Sequence, residues 1–211
     1  MPHLIEARKL YQSDPSGLRL PRWLPVVALV TVVCVTGQLL SLELQNGLRY
    51  DRLPVDGFQL WRLLSANFIH LGWSHLALNI LGLVLVSWIF ARDWPPLRWL
   101  LALLFSGVVS TSGIHLASPE VFWLVGLSGA LHGLFAFGAV GWIRQQERMG
   151  WVLLAGLVAK LIYENLTGSL SITQPLVGGA IVTDAHVWGA LGGLLAAALD
   201  RLCWRQGPAP L

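Results

Sequence analysis

The chain has 211 residues, of which 55% are hydrophobic and only 12% charged, with a formal net charge of +3 and a mean hydropathy of +0.63. Soluble domains carry about 25% charge, so this composition argues against an ordinary cytosolic globular protein. It also excludes a disordered chain, a disulfide scaffold (Cys34 and Cys203 are the only cysteines) and, with so small and scattered a charge, a nucleic-acid binder.

In chain order, residues 1–22 read as a polar, basic segment carrying Arg8, Lys9, Arg19 and Arg22. They are too polar, and the apolar run after them too long, for a cleaved signal peptide. Stretches poor in Asp, Glu, Lys and Arg then predict six helices at about 23–42, 73–91, 98–116, 126–143, 150–167 and 184–203, each near the roughly 20 residues that a membrane span needs. The apolar runs are continuous and do not alternate, which excludes a β-barrel. The expected fold class is therefore all-α, a polytopic six-helix membrane bundle. Its expected organisation is a cytoplasmic segment 1–22, a membrane domain 23–203 and a cytoplasmic tail 204–211. Eleven tryptophans suit two membrane interfaces.

Connection 43–72 is too long and mixed for a turn. With Phe58 and Trp61 among its charges, it is expected to fold back on the membrane surface, Trp61 and Arg62 anchoring it at the interface. Arg8, Lys9, Arg19, Arg22, Arg92, Arg98, Arg144, Arg148, Arg201 and Arg205 fall on one side of the six spans, against Arg49, Arg52 and Arg62 on the other. The first side is assigned to the cytoplasm, with both termini.

Polar groups within a bilayer are costly and usually functional. The second span carries His75 and Asn79, with His70 just above. The fourth opens with Gly126-Leu127-Ser128-Gly129 and carries His132. The fifth holds Lys160 and Glu164, and the sixth opens with Asp184-Ala185-His186. Counted from the cytoplasmic ends at about 1.5 Å per residue, Ser128 lies about 24 Å up, His186 about 22 Å, Asn79 about 20 Å and His75 about 26 Å. These spans run in the same direction, so the four residues share one level. Gly129 and Gly133 on the fourth span and Gly189 and Gly193 on the sixth form small faces that allow close helix packing. If those faces meet, Ser128 and His186 come within hydrogen-bond reach.

A serine hydroxyl needs a base to become a nucleophile, and His186 is the candidate. Asp184, two residues away on a helix, points elsewhere, which favours a Ser–His dyad. His75, Asn79 and the Ser128 backbone N–H are candidate donors to an oxyanion. Lys160 and Glu164, four apart, read first as a mutually neutralising pair and second as lining for a substrate or acceptor site. His115 is expected to face headgroups. A metalloprotease reading fails because the sequence has no His-Glu-x-x-His, and His70, His75, His132 and His186 come with no evident Cys or carboxylate ligand pattern. No metal or other cofactor is expected.

These residues resemble the rhomboid family of intramembrane serine proteases over Trp61 to Asp200. The matching blocks are Trp61-Arg62, then His70, His75 and Asn79, then Gly126-Leu127-Ser128-Gly129 with Gly133, and finally His186 with Gly189 and Gly193. The resemblance implies a six-helix bundle, Ser128 as nucleophile, His186 as base, His75 and Asn79 at the oxyanion, and a water-filled cavity open to the outer side. Many rhomboids carry Tyr or Phe four residues after the serine, stacked on the histidine; here His132 stands there. Gly-Leu-Ser-Gly-Ala-Leu-His-Gly, the minimal length and the Lys-x-x-x-Glu of the fifth span resemble one branch, the rhombosortases. That branch implies a bacterial inner-membrane enzyme with a periplasmic site, cleaving the Gly-Gly-bearing transmembrane tail of a secreted protein. Hydrolysis and transfer of the new carboxyl end to a lipid-derived amine both stay open. The competing readings are a broad rhomboid protease of single-span proteins and a non-catalytic rhomboid-like chaperone, whose relatives normally lack the serine or the histidine.

Overall fold

A computed structural model of the protein describes residues 20–167 and 181–203. Arg8, Lys9, Arg19 and Arg205, and the tail 204–211, lie outside the described residues. Six long helices fall on the six expected stretches: α1 (Leu24–Leu39), α5 (Trp73–Phe90), α6 (Pro96–Ala117), α7 (Ser128–Arg144), α8 (Arg148–Thr167) and α9 (Thr183–Cys203). Three segments among the described residues, Trp73–Asp93, Pro96–Ala117 and Arg148–Thr167, are long and apolar enough to cross a membrane. Prolines stand at the starts of α1 and α6, where the missing N–H costs nothing.

The outward faces are apolar. Leu29, Val32, Trp88, Leu101, Trp151, Val152 and Ile162 are all exposed, as lipid-facing surfaces require and as water-facing ones do not. Inside, α9 presents Ala185, Gly189, Ala190, Gly192, Gly193, Ala196 and Ala197 to its neighbours. Small side chains bring backbones close, and α9 packs most extensively on α7 and α6. A Cβ on Gly189 would land on the Gly129 carbonyl oxygen, and one on Gly193 on that of Gly133. The two small faces therefore meet.

Connection 43–72 is built rather than looped. It holds α2 (Leu42–Leu48), β1 (Tyr50–Asp51), α3 (Arg52–Asp56), α4 (Arg62–Ser65) and a 3-10 turn, Ala66–Phe68. β1 pairs antiparallel with β2 (Trp123–Leu124), Tyr50 opposite Leu124. Arg62 is not an interfacial anchor. It is buried and donates to the carbonyls of Asn46 and Arg49 and to Gln59 Oε1, because the backbone ends of this short-helix connection need an internal donor. Trp61 is 55% exposed. Arg52 donates to the carbonyls of Ile114, His115 and Ser118, capping the α6 C-terminus with a cation. His115, expected to face headgroups, instead meets the Tyr50 hydroxyl at 3.2 Å and Asp56 at 3.5 Å. Its fixed place at the end of α6 turns it toward β1.

Candidate active site

Ser128 is the first residue of α7, so its hydroxyl sits beside a helix N-terminus with unpaired backbone N–H groups and positive dipole charge. The chain arrives there through Gly126, whose φ of +117° disfavours any L side chain. A Cβ at Gly126 would also stand 2.6 Å from His75 Cε1 and 2.8 Å from His75 Nε2. Glycine is required here for both reasons. The Gly126 N–H is anchored by the Ala66 carbonyl at 3.0 Å.

His186, one turn into α9 and buried, brings Nε2 to 3.0 Å from Ser128 Oγ. Its Nδ1 lies 3.0 Å from Glu164 Oε2. A carboxylate oxygen only accepts, so Nδ1 carries the hydrogen and Nε2 offers its lone pair to the serine hydroxyl. This is the tautomer that proton abstraction requires.

His132 takes the stacking position. Its ring lies on that of His186 with centroids 4.0 Å apart and planes 13° from parallel. His132 Nδ1 is 2.7 Å from the Ser128 carbonyl, to which it donates, leaving Nε2 to accept from Lys160 Nζ at 2.8 Å. Lys160 also donates to Glu164 Oε2 at 2.7 Å, so the expected pair forms.

His75 and Asn79 lie one turn apart on α5, both buried, on the side of Gly126. The Leu71 N–H donates to His75 Nδ1 over a long 3.4 Å, so the proton of a neutral His75 sits on Nε2, facing Gly126. Asn79 Nδ2 donates one hydrogen to the His75 carbonyl at 3.1 Å and retains the other. His75 can thus donate toward the space before Ser128, and Asn79 Nδ2 lies beside it, 3.7 Å from where a Cβ on Gly126 would stand. A cavity of about 480 Å³ opens there, lined by His75, Ser110, Val125, Gly126, Ser128 and Ala185 among others.

Gly129 and Gly189 are in backbone contact across the α7–α9 seam, as are Gly133 and Gly193. Asp184 is turned away from His186, accepting from Ser118 Oγ at 2.7 Å. The carboxylate that stands at His186 Nδ1 is that of Glu164. In the sequence Glu164 reads with Lys160, and its contact with a histidine of another helix is not marked there; the structure adds that it belongs to a buried stripe. Gly150, Leu157 and Glu164 are seven apart and are the buried residues of α8, the spacing of a packing seam. The reading of the histidines as lacking a carboxylate companion also changes. Among the described residues, His132, Glu164 and His186 offer metal-type ligand atoms within 4.8 Å of one another. The Lys160 ammonium already stands against two of the three. Sequence reasoning also missed Ser110, whose hydroxyl donates to the Ala185 carbonyl at 2.7 Å and tethers α6 to the start of α9.

Comparison with known proteins gives a family. A model of the Rhomboid domain matches residues 57–202. The Mycobacterium tuberculosis protein Rv1337 is 28% identical over 194 residues, which cover 85% of this chain and 77% of that protein. Rhomboid protease GluP of Bacillus subtilis is 30% identical over 153 residues, covering 72% of this chain and 28% of GluP. RHOMBOID-like protein 4 of Arabidopsis thaliana is 28% identical over 158 residues, covering 74% of this chain and 38% of its own.

Proposed function

The chain belongs to the rhomboid family of intramembrane serine proteases, multi-pass membrane enzymes, and from that premise we propose that Ser128 and His186 carry its chemistry and that its substrate is the Gly-Gly-bearing transmembrane tail of a secreted protein. The observation that carries the first part is the 3.0 Å approach of His186 Nε2 to Ser128 Oγ. Support for the second part is the rhombosortase-like Gly-Leu-Ser-Gly-Ala-Leu-His-Gly around Ser128 and the Lys160–Glu164 pair.

Glycines weaken a helix by about 1 kcal/mol each relative to Ala. A tail carrying two of them unwinds locally and lets a scissile carbonyl enter the cavity. His186 Nε2 takes the Ser128 proton as Oγ bonds to the carbonyl carbon. The oxyanion receives hydrogen bonds from His75, Asn79 and the Ser128 N–H. Collapse breaks the C–N bond, His186 returns the proton to the leaving amine, and an acyl-serine remains. Water or a lipid-derived amine then attacks it, with His186 again as base. Gly129, Gly189 and Gly193 serve by letting the backbones of α7 and α9 approach, and Gly126 by leaving room for the His75 ring.

We read the six long helices as six spans in a bacterial inner membrane. Arg92, Arg98, Arg144, Arg148 and Arg201 lie at one end of those helices, the cytoplasmic one by the positive-inside rule. The cavity then opens on the periplasmic side and both termini are cytoplasmic.

The test is co-expression with two reporters, one ending in a Gly-Gly tail, an apolar helix and a basic cluster, the other an unrelated single-span protein. Cleavage of the first alone supports the tail-specific reading, and equal cleavage of both makes the enzyme a broad rhomboid protease. If neither is cut and a phosphonate leaves Ser128 unlabelled in folded protein, the chain acts as a client-binding chaperone.

A further inference from the structure

The groups around Ser128 close into a circuit. Ser128 Oγ meets His186 Nε2 at 3.0 Å, and His186 Nδ1 meets Glu164 Oε2 at 3.0 Å. The same oxygen accepts from Lys160 Nζ at 2.7 Å, Lys160 Nζ reaches His132 Nε2 at 2.8 Å, and His132 Nδ1 returns to the Ser128 carbonyl at 2.7 Å. Only the first link joins the proposed nucleophile to its base. The other four have no part in the two-residue chemistry described above.

We propose that Glu164 is a positioning residue that makes His186 the base, with Lys160 and His132 holding its carboxylate in place, so that the site works as Ser128–His186–Glu164. The proposal rests on the reading of Ser128 and His186 given above and adds a third member from α8.

Three observations carry it. The first is the direction of the hydrogen bonds. An ionised carboxylate has no hydrogen to give, so the Glu164 link fixes the hydrogen of His186 on Nδ1 and frees Nε2. The second is placement. Glu164 is 6% exposed, at the end of the single inward stripe of α8. A carboxylate at such a position is costly unless paired. Lys160, four residues back and 43% exposed along its side chain, reaches in to pair it. The third is charge. Before reaction the Glu164 and Lys160 charges cancel. When Ser128 gives its proton to Nε2, a positive charge appears on an imidazole 3.0 Å from the carboxylate, in a medium where such attraction is weakly screened. The carboxylate itself takes no proton. Without it, the Lys160 ammonium would face that imidazolium unopposed. The same ammonium contacts two members of the His132, Glu164, His186 cluster, so the cation of this cluster is supplied by the chain itself.

The experiment uses purified full-length enzyme, the Gly-Gly-tailed reporter and a fluorophosphonate probe of Ser128. Glu164→Gln is expected to lower kcat by roughly 10²–10⁴-fold, as neutralising a triad carboxylate does. KM and melting temperature should barely change, and probe labelling should slow by a similar factor. Glu164→Asp should recover at least tenfold of that loss. If Glu164→Gln does not fold with Lys160 left unpaired, the Lys160→Met/Glu164→Gln double variant removes both charges and should show the same loss of kcat. A folded variant of either kind with kcat within threefold of wild type overturns the proposal. So does a loss that follows melting temperature and that Asp does not restore. If Ser128→Ala itself still cleaves, the underlying reading falls instead; if Ser128→Ala is silent while Glu164→Gln cleaves normally, only the role of Glu164 falls.

Discussion

The carbonyl oxygen of Gly129 occupies the place where a side chain on Gly189 would have to go. The same relation recurs one turn down, between Gly133 and Gly193. The hydroxyl on α7 and the imidazole on α9 meet because nothing but hydrogen separates the two backbones beneath them.

Replacing Gly by Ala inside a helix ordinarily stabilises it by about 1 kcal/mol. At Gly189 and Gly193 the sign should reverse, because the atoms in the way are backbone and cannot rotate aside. Overpacking of this kind costs about 1–3 kcal/mol. Gly189→Ala and Gly193→Ala should lower the melting temperature in detergent and cut cleavage at least tenfold by forcing Ser128 and His186 apart. Gly156→Ala, on an open face of α8 with nothing within 4 Å, should leave both unchanged or raise stability slightly.

We propose that His75 and Asn79 serve the oxyanion and not substrate binding. Donors of this kind act in the transition state, and losing one costs about 10²–10³-fold in kcat. His75→Ala and Asn79→Ala should each lower kcat by that order with KM nearly unchanged in steady-state cleavage. A rise in KM alone would move them to the binding surface.

Much of this arrangement was legible in the sequence, and for a physical reason. A charge-free run of about twenty residues has few ways to fold, so the positions of the long helices follow from composition. Small residues spaced by four fix which faces touch, and that brought Ser128 toward His186. What the sequence hid were partnerships between distant segments. Arg62 looked like an interfacial anchor because an arginine beside Trp61 often is one, but its partners are main-chain carbonyls of Asn46 and Arg49, which no side-chain pattern marks. Glu164 was read with Lys160 alone, since a neighbour four residues away is visible in sequence and a histidine on another helix is not. The two-residue pairing of Tyr50–Asp51 with Trp123–Leu124 is too short for any periodicity to reveal.

Arg52 ties the outer connection to the cavity wall. It bonds three carbonyls at the end of α6 and, at 3.4 Å, that of Val121, just ahead of the strand that leads to Gly126. Hydrogen bonds from a charged donor are worth about 1.5–3 kcal/mol. Arg52→Met should therefore destabilise the protein by about 2–3 kcal/mol in reversible denaturation and loosen the wall, raising KM more than it lowers kcat.

His70 predicts a pH dependence of stability. It lies in the turn before α5; burial, aided by the neighbouring His75 ring, pushes its pKa down from 6.5 to about 3, against a smaller pull from the Phe68 backbone. The unfolded chain therefore takes up a proton at this residue before the folded one does. Stability is full above pH 6.5 and falls as pH drops from there toward 3, by at most about 1.4 kcal/mol per pH unit. Melting temperature in detergent should decline over this window, and His70→Phe should flatten the decline. A decline of unchanged steepness in that variant would show that other groups set it.

The proximity of Ser128 and His186 is the claim on which the enzymatic reading depends. Its most direct measurement is mass spectrometry of the purified protein after treatment with an activated phosphonate. The account predicts one adduct, on Ser128, in the wild-type chain and none in folded His186→Ala, with cleavage lost in both Ser128→Ala and His186→Ala. Equal labelling with and without His186, or a Ser128→Ala variant that still cleaves, would contradict it.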